Sequence, residues 1–274
     1  MRQIRALIAV SILSALSSPG CREPPDPPSK KAVDMAWQRA DQRGIIDPQR
    51  LAACRATVIG VGAIGRQVAL QLAAIGVPTL RLIDPDIVEP VNLACQGYFE
   101  EDLNRHKVHA TGNLCHQINP ALVMEELPER FRRSMPAGEI IFCCVDSIET
   151  RRHIWEAVKD NVSFFCDGRM AAEVCRVISV ADESSRQHYA STLFDPGQAY
   201  AGACTAKSTI YCANMAAGLM VAQFTKFLRR LPIDADIQFN LLTCELSIGG
   251  NEVLPHQGDR DPGLMAGIAA ANTE

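Results

Sequence analysis

The sequence predicts an α/β fold: a Rossmann-like, mostly parallel sheet with helices on both faces, extended by a C-terminal antiparallel portion. Three observations carry this. A short apolar strand, Thr57 to Ile59, runs into Gly60-Val61-Gly62-Ala63-Ile64-Gly65 and then into a helical pattern. A second apolar strand, Leu80 to Ile83, ends on Asp84. The near-continuous apolar run Glu139 to Val145 is what a parallel strand buried on both faces requires.

The first unit reads as a nucleotide cradle. Gly60 permits a tight turn, Gly62 lets a phosphate approach the backbone, and Gly65 lets the helix pack on the strand. The helix N-terminus attracts negative charge. Val68, Leu72 and Ile75 recur at helical spacing, and Gly76 stands where a C-cap belongs. Asp84, about twenty residues past the glycines, is placed to accept hydrogen bonds from ribose hydroxyls.

The chain then alternates helix and strand. Lys107 to Ile118 has Val108, Thr111, Cys115 and Ile118 on one helical face and stops at Asn119-Pro120. Leu122 to Leu127 forms a strand, and the run to Val145 leads through Asp146-Ser147 into a helix carrying Arg151, Ile154 and Val158. Acidic groups at the carboxyl end of a parallel strand face the ligand crevice, so Asp146 is either a site residue or part of an ordinary helix cap. Val162 to Cys166 is a strand leading to Asp167-Gly168-Arg169-Met170, and Val174 to Ala181 starts a second half. Asp182 to Ala206 reads as a long polar crossing loop that delivers Cys204, and loops of that length are functional or mobile. Ser208 to Thr225 lacks charge, but Asn214, Gln223 and its small residues mark a buried core helix rather than a membrane span. Phe239 to Leu246 gives a final strand.

The ends stand apart. Residues 1–34 pair a charged start with the apolar run Ala6 to Leu16, then Gly20-Cys21 and a Pro-rich linker, Pro24 to Pro28. They read as a secretory-type signal or as an upstream start preceding a true start at Met35. Trp37, Ala40 and Arg43 mark a polar helix, and the tail from 249 to 274 reads as flexible. The 274 residues suffice for one large α/β domain. Hydrophobic content of 47%, charged content of 21% and net charge −4 describe a globular chain without a polyanion-binding signature, which argues against direct DNA binding. Eleven cysteines are scattered mostly through apolar runs without a Cys-x-x-Cys pair, which suits reduced thiols and supports no structural zinc.

Taken together, Gly60-x-Gly62-x-x-Gly65, Asp84-x-Asp86-x-Val88-Glu89-x-x-Asn92-Leu93, Gln96, Lys107, Asn119-Pro120 and Asp146 resemble the ThiF/MoeB/HesA family of adenylyltransferases, relatives of ubiquitin-activating enzymes. The resemblance runs over about residues 36 to 246, within a domain drawn at 35–248. It implies ATP-dependent adenylation of the C-terminal carboxylate of a ubiquitin-like or sulfur-carrier protein, in the cytoplasm and by a homodimer. Gly60, Gly62, Gly65 and Asp84 would hold adenosine and phosphates, Asn92 and Lys107 the triphosphate, and Asp146 a Mg²⁺ ion. Adenylation of a small molecule or a modified tRNA is the alternative within the same chemistry. A NAD-dependent dehydrogenase needs neither Asn92 nor Lys107.

One position departs from the family. Asn92-Leu93-Ala94-Cys95-Gln96 carries cysteine where relatives carry a phosphate-binding arginine, and a thiol cannot replace a five-donor cation. Either the chain is a weakened nucleotide-binding module or another arginine fills the gap. Arg43 is preferred, because relatives reach the neighbouring subunit's phosphates from the corresponding helix; Arg105 is nearer in sequence. Cys204-Thr205 lies where relatives can carry a thioester-forming cysteine, against the plain reading of a buried thiol.

Overall fold

A computed structural model describes residues 45–193 and 209–249. Its elements run α1 (Pro48–Ala52), β1 (Arg55–Ile59), α2 (Ala63–Ile75), β2 (Thr79–Ile83), α3 (Pro90–Gln96), a 3₁₀ turn (Glu100–Asp102), α4 (Lys107–Ile118), β3 (Val123–Leu127) and β4 (Ile140–Cys143). After these come α5 (Ile148–Val158), β5 (Phe164–Ala171), β6 (Val174–Val180), α6 (Glu183–Ser191), α7 (Ile210–Leu228), β7 (Asp236–Asn240) and β8 (Glu245–Gly249).

All eight strands form one sheet in the order β3-β2-β1-β4-β5-β6-β7-β8. The strands from β3 to β5 pair in parallel, and β5 to β8 continue antiparallel. The order reverses between β1 and β4, whose registers match Val58 with Phe142 and Ile59 with Cys143. A crevice opens at the carboxyl ends of parallel strands where the order turns back, so the fold fixes the place of a site before any side chain is considered.

Side chains of the central strands alternate between two cores. Val58, Leu82, Phe142, Phe164 and Cys166 pack under α2, α4 and α7, where Phe142, Phe164 and Phe224 meet with ring centroids 5.6 to 5.9 Å apart. Ile59, Ile83, Ile141, Cys143 and Phe165 face α5 and α6, with Trp155 and Tyr189 stacked edge-on at 4.8 Å. Each such side chain contributes about 1.5–3 kcal/mol of transfer free energy. Both faces of β4 are therefore buried, as its apolar run requires. The helix α7 is a core element, and among the described residues no helix is long and apolar enough to cross a membrane.

The structure corrects the expected elements at four places. The strand expected at 162–166 runs on to Ala171, because β6 pairs with it beyond Asp167, matching Gly168 with Val177. The stretch from Asp182, read as loop, opens with α6; Asp182 caps it by accepting from Ser185 N at 2.8 Å, while Ser185 Oγ receives Asp182 N at 3.1 Å. This reciprocal cap is written in the sequence as Asp182-x-x-Ser185, with serine in the usual place of Glu or Gln. The final strand is two, β7 and β8, joined by a turn in which Cys244 takes φ +55°. The short α1, with Asp47 as cap and Pro48 in its first turn, was not expected at all. The helix expected at 35–43, residues 1–34 and the tail beyond Gly249 lie outside the described residues. Every residue of β8 is exposed, including Leu246 and Ile248.

The Asp182 cap is testable. Hydrogen bonds from Ser185 hold the Asp182 carboxyl below the usual carboxylate range, so its contribution is present above that range and lost as pH falls through the depressed value. Asp182→Ala is expected to cost about 1 kcal/mol near neutral pH, with the gap to the parent narrowing below about pH 4, read from urea midpoints.

Candidate functional site

The glycine turn is closed by backbone on three sides. Gly60 has φ +87°, donates to Ile83 O at 2.9 Å, and lies so near β4's exit that a Cβ there would sit 2.8 Å from the carbonyl group of Cys144. A Cβ on Gly65 would meet Gly60 O at 1.8 Å. Gly62 is different: the nearest atom to a Cβ built there is Gln96 Oε1 at 3.8 Å, and it heads α2 without a side-chain cap. The first N–H groups of α2 thus lack a side-chain partner, the arrangement that receives anions at a helix N-terminus.

Asp84, at the end of β2 and 6% exposed, fastens this turn. Its carboxylate accepts from Val61 N at 2.6 Å and from Asp86 N at 2.9 Å. Burial pushes the carboxyl above its usual range, against the pull of those two N–H donors and of Lys107. Each oxygen keeps a second acceptor position. Lys107 is the first residue of α4, where a cation opposes the helix dipole. Its buried ammonium is held by the exposed Asp86 at 2.9 Å, and Coulomb attraction extends to Asp84.

The crossover that covers this corner carries the remaining residues. Asn92 is buried in the capping box of α3, where its Oδ1 accepts from Glu89 N at 2.9 Å, so the NH₂ is the part of the side chain outside the box. Gln96 Oε1 is buried beside Gly62 without a hydrogen-bond donor among the described residues. Cys95 turns away from any such role: its thiol lies 3.0 Å from Val91 O, one turn back in its own helix.

Among the arginines weighed from sequence, Arg105 pairs with Asp102 at 3.5 Å with 44% of its side chain exposed. Arg43 lies outside the described residues, as does Cys204. Arg66 was missed. It is 3% exposed, lies 4.7 Å above the Tyr98 ring and 5.6 Å from that of Phe99, and has Nε and Nη2 without acceptors among the described residues. Only its place one turn into the glycine-loop helix could have singled it out.

Asp146 stands across the crevice, exposed, between the end of β4 and the Ser147 cap of α5. Its carboxylate oxygens are hard donors suited to Mg²⁺, an ion usually held by one or two carboxylates together with phosphates. No group of three or more His, Cys, Asp or Glu that could hold a metal occurs among the described residues, so a metal here would depend on such a shared coordination. Sequence reasoning also missed Arg151, Asp167 and Tyr189, which are buried and form one network with the part-buried Arg169. The described cysteines are free, and burial pushes Cys54 up to about 11 and Cys115, Cys166 and Cys212 to about 12, leaving those thiols protonated at neutral pH.

The family model described as the ThiF family matches residues 33–247. The chain is similar to the sulfur carrier protein ThiS adenylyltransferase of Escherichia coli K12, 32% identical over 112 residues that cover 39% of this chain and 45% of that protein. It is also similar to the molybdopterin-synthase adenylyltransferase of Haemophilus influenzae, 30% identical over 112 residues covering 39% and 46%. The match thus spans under half the length of either relative. Among solved structures, E. coli MccB shares the fold with TM-score 0.59 at 19% identity, over 73% of this chain and 63% of that one.

The glycines separate two roles. Gly60→Ala, which forces a side chain into backbone at positive φ, is expected to destabilise the fold by about 3 kcal/mol or more. Gly62→Ala is expected to leave the thermal midpoint nearly unchanged yet weaken binding of a fluorescent nucleotide analogue at least tenfold, about 1.4 kcal/mol.

Proposed function

The chain belongs to the ThiF family, and from that premise we propose that it uses ATP to adenylate the C-terminal carboxylate of a ubiquitin-like or sulfur-carrier protein. The observation that carries the reading is the meeting, at the carboxyl ends of β1, β2 and β4, of an uncapped helix N-terminus, a buried lysine that among the described residues pairs only with an exposed carboxylate, and Asp146. The similarity to proteins named for ThiS and for molybdopterin synthase favours a carrier protein as acceptor.

In this reading one carboxylate oxygen of the carrier attacks the α-phosphorus, the α–β phosphoanhydride bond breaks, and pyrophosphate leaves with the electron pair. The acyl-adenylate remains. In-line displacement at phosphorus requires alignment and charge neutralisation more than covalent help. The α2 N-terminus receives a phosphate group over Gly62, Asp84 takes ribose hydroxyls on its remaining acceptor positions, and the Asn92 NH₂ donates to the polyphosphate. Lys107 exchanges part of its pairing with the exposed Asp86 for phosphate oxygens. Mg²⁺ held by Asp146 would neutralise charge on the nonreacting oxygens.

Cys95 makes this a slow member rather than a different enzyme, with Arg43 as the replacing cation, delivered across a homodimer. Cys204 is the candidate acceptor of the acyl group as a thioester. The need for ATP places the work in the cytoplasm.

The test is ATP/pyrophosphate exchange by the full chain with Mg²⁺ and carriers ending in Gly-Gly. Exchange should depend on the carrier and fall by about a hundredfold or more in Asp146→Ala, the scale of losing charge stabilisation of a transition state. Cys95→Arg should raise it and Arg43→Ala lower it, while Cys204→Ser should retain exchange but lose the thioester. ATP binding without exchange for any such carrier would reduce the chain to a nucleotide-binding module.

A further inference from the structure

Arg151 lies in the first turns of α5 and is 5% exposed. Its Nη2 donates to Val145 O and, at 3.2 Å, to Gly168 O, while Nη1 pairs with Asp167. Asp167, fully buried on β5, also accepts from Arg169 Nε at 2.9 Å and from Tyr189 OH at 3.0 Å. Arg169 donates onward to Thr192 O and Oγ1, each at 3.0 Å. Two guanidinium groups thus share one carboxylate, leaving the cluster net positive. Burial lowers the pKa of both arginines, so the fold holds them charged at a cost. Buried ion pairs are seldom the cheapest way to stabilise a core, and a residue kept in one usually contributes placement.

What Arg151 places is the backbone on which Asp146 hangs. The Val145 carbonyl is fixed by Arg151, and Gly60 packs closely against the Cys144–Val145 peptide. On the other flank Ser147 is committed to the α5 cap, its Oγ accepting from Thr150 N at 3.4 Å and its carbonyl from Arg151 N at 3.0 Å. Asp146 lies between two anchored neighbours, with its own carboxylate exposed. Arg151 therefore grips the chain both before and after it, once by side chain and once by backbone.

We propose that Arg151 is a positioning residue that sets the Asp146 carboxylate toward the divalent cation of a bound nucleotide, with Asp167 as the counter-charge that orients it. The inference rests on the adenylation reading, in which Asp146 meets that cation. Lysine at 151 keeps the charge but cannot reach two carbonyls and a carboxylate from a rigid fork.

The experiment titrates Mn²⁺ into the full chain saturated with the nonhydrolysable ATP analogue AMPCPP, following free Mn²⁺ by electron paramagnetic resonance. Arg151→Lys is expected to weaken Mn²⁺ binding about tenfold, the scale of losing a group that orients a metal ligand, without changing affinity for the analogue in EDTA. Arg176→Lys, which disrupts the ion pair with Asp236 on the antiparallel side, is the control for general loosening and should leave Mn²⁺ affinity unchanged. In the exchange assay the Mg²⁺ requirement of Arg151→Lys should rise and excess Mg²⁺ should restore the rate. Should that variant not fold, Asp167→Asn is expected to weaken Mn²⁺ binding in the same direction. If Asp146→Ala weakens Mn²⁺ binding and the variants at 151 and 167 do not, or if Arg176→Lys weakens it equally, the positioning role is overturned alone. If Asp146→Ala binds Mn²⁺ as the parent does, the metal role falls, and the inference with it.

Discussion

The constraint on which the candidate site depends is steric: backbone touches backbone where β1 leaves the sheet. Gly60 is pressed against the Cys144 carbonyl group, and Gly65 against Gly60 itself. Because no side chain fits at either point, the first turn of α2, the exit of β4 and the end of β2 are brought within hydrogen-bonding reach of one another. Asp84 can then tie Val61 to Asp86, and Lys107 can stand behind both. Loosening that contact would separate the three strand ends that carry the glycine turn, Asp84 and Asp146.

The electrostatics of the corner follow from the same geometry. Helix N–H groups without a side-chain cap, a lysine at the positive end of a helix, and a net-positive arginine cluster behind β4 place positive charge around a crevice that also holds Asp84, Asp86 and Asp146. Protein carboxylates answer only part of it, one of them a solvent-exposed Asp86 that a stronger ligand can displace from Lys107. On the adenylation reading proposed above, a polyphosphate with its cation would supply negative charge to that corner in one piece.

Most of the fold was legible because its signals are local. The glycine spacing, the apolar run into Cys143 and the helical period from Lys107 to Ile118 each report their own conformation, and the described helix at 107–118 begins and ends where the pattern does. The errors came where local pattern loses to pairing. Asp167, Gly168 and Arg169 look like the end of a strand until β6 is laid alongside, and Asn240 to Cys244 looks continuous with its neighbours until the hairpin closes. In the candidate site, Asp84, Lys107 and Asp146 were marked by motif. Arg66 and Arg151 carry no motif: Arg66 is covered by the Tyr98 and Phe99 rings and Arg151 by Asp167 and Gly168 of β5, so apart from Arg66's place in the glycine-loop helix nothing in a linear reading distinguishes them from surface arginines.

The sheet ends in β8, a five-residue strand exposed along its length, whereas β1 and β4 are covered on both faces. Opening free energy rises from an uncovered margin toward a packed centre. The molecule is therefore graded in its slow breathing: amide protons of β8 should trade with solvent through small local excursions, while those of β1 and β4 wait for global unfolding. Crevice and margin lie at opposite extremes of that gradient, so the antiparallel arm can fray and reform while the strand ends that carry the glycine turn keep their spacing.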